Sequence, residues 1–178
     1  MRLLCGLGGV LAVMTASAAA QMSVTTIGAT DAAACYQNAQ DEFSQDTTYC
    51  DIALTNGATT RADRKKTLVN RGVIYNRAGA LDKAIADFNA ALDIDDDLAE
   101  AFLNRGNSYF LMSRFDDALA DYHRALELDV SKPWAAWYNI GLVYAAKKQP
   151  DKAREAYEKA LEINPNFTLA RDKVEGRN

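Results

Sequence analysis

The stretch Trp134–Pro165, WAAWYNIGLVYAAKKQPDKAREAYEKALEINP, decides the fold. Its apolar and small residues return at intervals of three and four, the period of a helix with one buried face. The step Gln149-Pro150-Asp151 divides it into two such segments. Proline suits that place, because at the first turn of a helix its missing N–H would have no helical partner. The stretch therefore predicts two helices joined by a tight turn.

Toward the N-terminus the same pattern occurs twice more. Segments 65–98, 99–132 and 134–167 read in register at a period of 34 residues, with one extra residue near Pro133. Gly72, Gly106 and Gly141 form one column, and Tyr75, Tyr109 and Tyr144 another. Ala84, Ala118 and Ala153 follow, then Phe88, Tyr122 and Tyr157. Ala91, Ala125 and Ala160 come next, each followed by a leucine. Small residues let the two helices of a hairpin approach, and aromatic rings fill the space beside them. The turns fall at Ala78-Gly79-Ala80 and Ser113-Arg114. Asp97 and Glu100 have the spacing of a capping box, and Ser131-Lys132-Pro133 suggests a cap followed by proline.

These columns resemble the tetratricopeptide repeat family. The third segment follows the family pattern almost throughout; the other two depart where the family favours Trp (Leu68 and Phe102) and Pro (Asp96 and Val130). The resemblance implies an all-α, right-handed superhelical solenoid of three helix hairpins. Each hairpin buries its face against its neighbours. It also implies that the first helix of each repeat lines the concave surface and the second the convex one.

Before the repeats, residues 31–64 read as a degenerate helical hairpin and its connection, with Cys50 in the Phe88 column and Ala53 in the Ala91 column. Cys35 lies in the preceding helical stretch, 32–43. In an exported protein two cysteines 15 apart are most simply one disulfide, a staple for this N-terminal cap. The absence of a C-x-x-C motif favours a staple over a redox pair. Asn56-Gly57 marks a turn in the connection 55–63. Residues 168–178 predict a short C-terminal cap, helical from Thr168 to Val174, with Leu169 and Val174 as its apolar contacts and Gly176 ending it. So short a cap leaves the outer face of the last repeat incompletely covered, and a homodimer through that end open.

The first residues add an address. Arg2, the apolar run Leu3–Val13 and Ala18-Ala19-Ala20 have the order of a secretory signal peptide over residues 1–20, cleaved before Gln21, with cleavage after Ala18 as the alternative. The run is shorter than the roughly 20 apolar residues that span a bilayer. Cys5 lies at its front, away from a lipid-attachment site. Residues 21–30, without periodicity, read as a flexible lead-in. Cleavage leaves 19 basic against 24 acidic residues, a net charge of −5. A mildly acidic chain without a basic stripe is a poor partner for nucleic acid, and it lacks the basic amphipathic face that seeks anionic membranes. A periplasmic or secreted location is expected, with no membrane insertion after cleavage.

Chemistry is sparse. The one histidine, His123, stands beside the aromatic column on a second helix, where a solvated side chain is the plain reading. No Ser/His/Asp set, phosphate loop or H-E-x-x-H is present, and zinc lacks ligands. The acidic run Asp93-Ile94-Asp95-Asp96-Asp97 has no glycine at the sharp turn and no closing glutamate, so it is not an EF-hand loop. Asn166-Phe167-Thr168 fits a glycosylation acceptor, a short pattern common by chance. No cofactor, metal or enzyme activity is expected.

The concave face is the remaining candidate. Asn70, Asn104 and Asn139 stand two residues before each column glycine and predict a ladder of donors and acceptors suited to an extended peptide backbone. Lys66, Val69, Val73, Asn76 and Arg77 flank the first rung. Leu103, Asn107, Phe110 and Leu111 flank the second, and Tyr138, Leu142 and Ala146 the third. Asparagine is frequent at this column in the family with or without a ligand, so part of the ladder can belong to the scaffold. The family's carboxylate clamp combines Lys and Arg with Asn. Here Val69 and Tyr138 occupy positions on this face, Ala135 replaces an expected cation and only the Asn members match, so a C-terminal carboxylate is not the expected ligand. The sequence thus predicts a non-catalytic module that binds a peptide or helix of an envelope partner. The alternative is a structural component that assembles through its convex face or C-terminal end.

Overall fold

The computed structural model describes residues 30–57 and 59–177. The expected signal peptide, residues 1–20, and the expected lead-in up to residue 29 lie outside the described residues. Nine helices and no strand occur among those described. They are α1 (30–40), α2 (Thr48–Thr55), α3 (Arg61–Arg77), α4 (Leu81–Ile94), α5 (Ala99–Leu111), α6 (Phe115–Glu127), α7 (Pro133–Ala146), α8 (Pro150–Ile163) and α9 (Thr168–Val174). Each consecutive pair from α3 onward packs as a hairpin, and each hairpin packs on the next through α4 with α5, α6 with α7 and α8 with α9. The chain is an all-helical solenoid.

One contact repeats through the array. The ring of Phe88 covers Gly72, that of Tyr122 covers Gly106 and that of Tyr157 covers Gly141. A Cβ on Gly72 would sit 2.6 Å from the Phe88 ring, and one on Gly106 would sit 2.7 Å from the Tyr122 ring. The rings are buried to 0%, 1% and 5% exposure. In the N-terminal hairpin Cys50, which falls in the Phe88 column of the sequence, is joined to Cys35 of α1 by a disulfide, with Cα atoms 4.8 Å apart and both side chains fully buried. The disulfide's own cluster is small: Cys35, Ala39, Cys50 and Ile74.

Helix ends differ in part from the capping signals in the sequence. The helix that carries Gly72 begins at Arg61, ahead of residue 65, because Thr60 caps it. The Thr60 hydroxyl oxygen accepts from the Asp63 N–H at 3.1 Å, and the hydroxyl donates to the Asp63 carboxylate at 2.7 Å. Asp97 and Glu100 form no such box; Leu98 holds the N-cap position of α5, and Asp97 pairs with Arg124 at 3.3 Å. Pro133 and Pro150 do open α7 and α8, without a side-chain cap before either. The helix of residues 32–43 ends at 40, and Phe43 stands 92% exposed in the turn. In α9 the fully buried residue is Ala170, while Leu169 is 53% exposed; Val174 packs on the last hairpin.

The three tight turns share one geometry. Gly79, Ser113 and Lys148 have φ of 74°, 59° and 57°. The N–H groups of Ala80, Arg114 and Gln149 donate back to the carbonyls of Tyr75, Tyr109 and Tyr144 at 2.8–2.9 Å. This is the left-handed C-terminal cap that satisfies the last free carbonyls of a helix. Only the first of the three uses glycine.

Candidate functional site: the inner wall of the solenoid

The first helices make the inner wall. α3 contacts α5, and α5 contacts α7, whereas the second helices α4, α6 and α8 have no comparable contact with one another. In a curved array the helices drawn together lie on the concave side. Hydrogen bonds knit that wall. Asn76 donates from Nδ2 to the Asn104 carbonyl at 3.1 Å, and the Ser108 hydroxyl donates to Asn76 Oδ1 at 2.7 Å. Asn139 donates from Nδ2 to Asn107 Oδ1 at 2.8 Å, and that same oxygen accepts from the Tyr122 hydroxyl at 2.9 Å. The Tyr122 phenol has its pKa pushed up by burial and by the neighbouring Asp121 carboxylate.

The asparagine column consequently divides. Asn104 Nδ2 donates to the Glu100 carbonyl of its own helix at 2.8 Å, and Asn139 is held by Asn107. Asn70 opens on a cavity of about 590 Å³ at the N-terminal end of the wall. Lys66, Val69 and Asn70 of α3 line it, together with Ala32, Ala33 and Tyr36 of α1 and with Leu98 and Glu100. Charge of both signs stands at its rim: Lys66 on one hand, Asp63 and Glu100 on the other. Of the expected site residues, Lys66, Val69 and Asn70 meet here.

The others are placed differently. Arg77 is occupied by the end of α1: its guanidinium donates to the carbonyls of Ala39 at 2.8 Å, Asp41 at 2.6 Å and Ser44 at 2.6 Å. Leu103 and Phe110 pack on the core between the second and third repeats. Tyr138 packs against the rings of Tyr157 and Phe167, with centroids 5.6 and 5.2 Å away, and Leu142 joins the same C-terminal cluster. Val73 is half-buried on α3, and Leu111 is 56% exposed at the end of α5.

A further set of residues escaped the sequence reading. Arg71 grips Asp87 with two bonds of 2.8 and 2.7 Å and reaches Asp51 on α2 at 2.6 Å. One repeat later Arg105 grips Asp121 with two bonds of 2.8 Å and reaches Asn89 on α4 at 2.6 Å. Bidentate pairing to its aspartate raises each guanidinium's pKa. These straps bind each hairpin to the second helix before it. In the last repeat the corresponding residues are Ile140 and Ala156, both buried, and His123 stands exposed at the place of Asn89. Identical residue types one repeat apart, an Arg followed 16 positions later by an Asp, were the available signal.

No helix of the described residues is long and apolar enough to cross a membrane, and no group of three metal-ligating side chains occurs among them.

Comparison with known proteins agrees with this architecture. The model of the tetratricopeptide repeat matches residues 99–131 and 134–167, and a second TPR repeat model matches 72–113. Together they cover more than half of the chain. No curated protein sequence matches. Among solved structures, MamA is 28% identical over 72% of this chain and 72% of its own, with a TM-score of 0.61. The first TPR of Spaghetti (RPAP3), bound to the HSP90 peptide SRMEEVD, is 26% identical over 64% of this chain and 89% of its own, with a TM-score of 0.58. YrrB, a TPR protein with an unusual peptide-binding site, shares the fold at 22% identity over 72% of this chain and 64% of its own, with a TM-score of 0.61. Repeating glycine–aromatic contacts, hairpin stacking and these matches agree: the chain belongs to the tetratricopeptide-repeat family.

Proposed function

We propose that the chain is a non-catalytic protein-interaction module that holds an extended peptide or a helix of an envelope partner in its concave groove. The observation that carries this reading is the cavity of about 590 Å³ where α1, α3 and α5 meet. Its lining, with Val69, Ala33, Tyr36 and Leu98, suits an apolar side chain. Asn70 offers a donor and an acceptor to a peptide backbone, and Lys66, Asp63 and Glu100 favour a segment carrying both charge signs. The peptide-bound TPR of Spaghetti supports the reading by likeness. A periplasmic or secreted location is supported by the signal-peptide pattern of residues 1–20 and by a disulfide, which persists in oxidising compartments.

The test is a selection from a displayed peptide library on the wild-type protein and on Val69→Arg. Peptides enriched by wild type and lost on Val69→Arg support the groove. Equal enrichment on both variants removes it.

A further inference from the structure

The two ends of the array carry opposite chemistry. Residues 30–55 contain Asp31, Asp41, Glu42, Asp46 and Asp51, and no lysine or arginine. On α2, Cys50 and Ala53 are fully buried, while Tyr49 and Ile52 on the adjoining face are 44% and 42% exposed. Tyr49 and Ile52, three residues apart, give this hairpin an exposed apolar patch, and Phe43 in the preceding turn is 92% exposed. Of the acids, Asp51 is paired with Arg71.

At the other end, a cleft of about 680 Å³ lies between the last hairpin and α9. Each earlier hairpin packs on the first helix of the next, a helix of 13 or 14 residues. The last is followed by α9 alone, a helix of 7 residues. The cleft has an apolar lining from Leu142, Ala153, Tyr157 and Val174, and it carries the cations Lys148 and Lys173 together with Arg154, which is paired with Glu158 at 2.9 Å. The pocket lining includes no aspartate or glutamate.

We infer that the occupant of this cleft is the α1–α2 hairpin of a second copy of the chain, so that copies join head to tail. Opposite charge orients the encounter, and the apolar patch supplies the burial. Acidic ends repel one another, as do cationic clefts, so both two-fold dimers are disfavoured. A contact between two different surfaces leaves one of each free on every dimer. The product is an open chain of copies rather than a closed pair.

Sedimentation velocity of the purified chain over a concentration series tests this. The mean mass should rise past the dimer without a plateau. It should fall back toward the monomer at about 1 M salt, where the screening length is roughly 3 Å. Two variants, each changed only at exposed positions, then separate the ends: Tyr49→Arg with Ile52→Arg blocks the head, and Arg154→Glu with Lys173→Glu blocks the tail. Each alone should be monomeric, and their mixture should give a one-to-one dimer and nothing larger. A wild-type chain that stays monomeric at every concentration overturns the inference without recourse to variants. So does a mass that stops at the dimer, or association that survives in the head-blocked variant alone. The groove shares α1 with the head, so peptide capture is measured separately on the monomeric tail-blocked variant, whose substitutions lie far from α1, α3 and α5.

Discussion

Glycine at positions 72, 106 and 141 is demanded by the ring that lies on it, since a Cβ there would enter the ring of Phe88, Tyr122 or Tyr157. Gly106→Ala should destabilise by about 1–3 kcal/mol, the usual cost of overpacking, read as a lower urea midpoint. At the turns the demand is for a left-handed backbone, and Ser113 and Lys148 meet it without glycine. Ser113→Gly should therefore raise stability by about 1 kcal/mol, seen as a higher melting temperature. Burial pushes the Tyr157 phenol up to about 12 and raises that of Tyr122 as well. The folded chain thus holds these protons more tightly than the unfolded chain. Their contribution is whole below pH of about 10, and it is lost as the pH climbs through the folded-state values. Urea midpoints should fall above pH of about 10, and less steeply in Tyr122→Phe. The glycine and aromatic columns were legible in the sequence because each repeat restates them. The left-handed conformation of Ser113 and Lys148 was not, since neither residue type announces it.

Between elements the straps and the staple decide. Asp121 is 6% exposed, and Arg105→Ile would leave its carboxylate buried without its partner, at a cost of about 3–5 kcal/mol. The last repeat already carries Ile140 and Ala156 at these places. Arg105→Ile with Asp121→Ala should accordingly recover most of that loss in a double-mutant cycle measured by urea unfolding. The reading of the sequence followed apolar and small columns, so this polar column went unseen although Arg71, Arg105, Asp87 and Asp121 repeat in register. Helix starts show the same limit. Thr60 and Asp63 have the spacing of a capping box, but repeat alignment fixed the eye on residue 65. For α1, burial of Cys35 and Ala39 is slight support. Replacing Cys35 and Cys50 with alanine should cost about 3 kcal/mol by loop-closure entropy. It should also release protection of the α1 amides from hydrogen exchange before that of α5.

At the scale of the molecule, the sequence indicated which helices face inward but not which inward residues are free. Period and columns place Asn70, Asn104 and Asn139 on one wall, yet hydrogen-bond partners depend on which neighbour reaches them. Asn107 takes up Asn139, and Asn104 turns to its own helix. The first rung faces a cavity, to whose wall α1 contributes small side chains, Ala32 and Ala33. Asn139→Ala should therefore lower stability with little effect on peptide affinity, while Asn70→Ala should do the reverse. The account rests on that cavity as the seat of a peptide. The most direct measurement is an amide NMR titration of the protein with a peptide selected on it, recorded beside the Asn70→Ala variant. The account predicts shifts centred on Lys66, Val69, Asn70 and Ala33, and weaker binding to the variant. Shifts confined to α4, α6 and α8, or to the cleft beside α9, with unchanged affinity in Asn70→Ala, would contradict it.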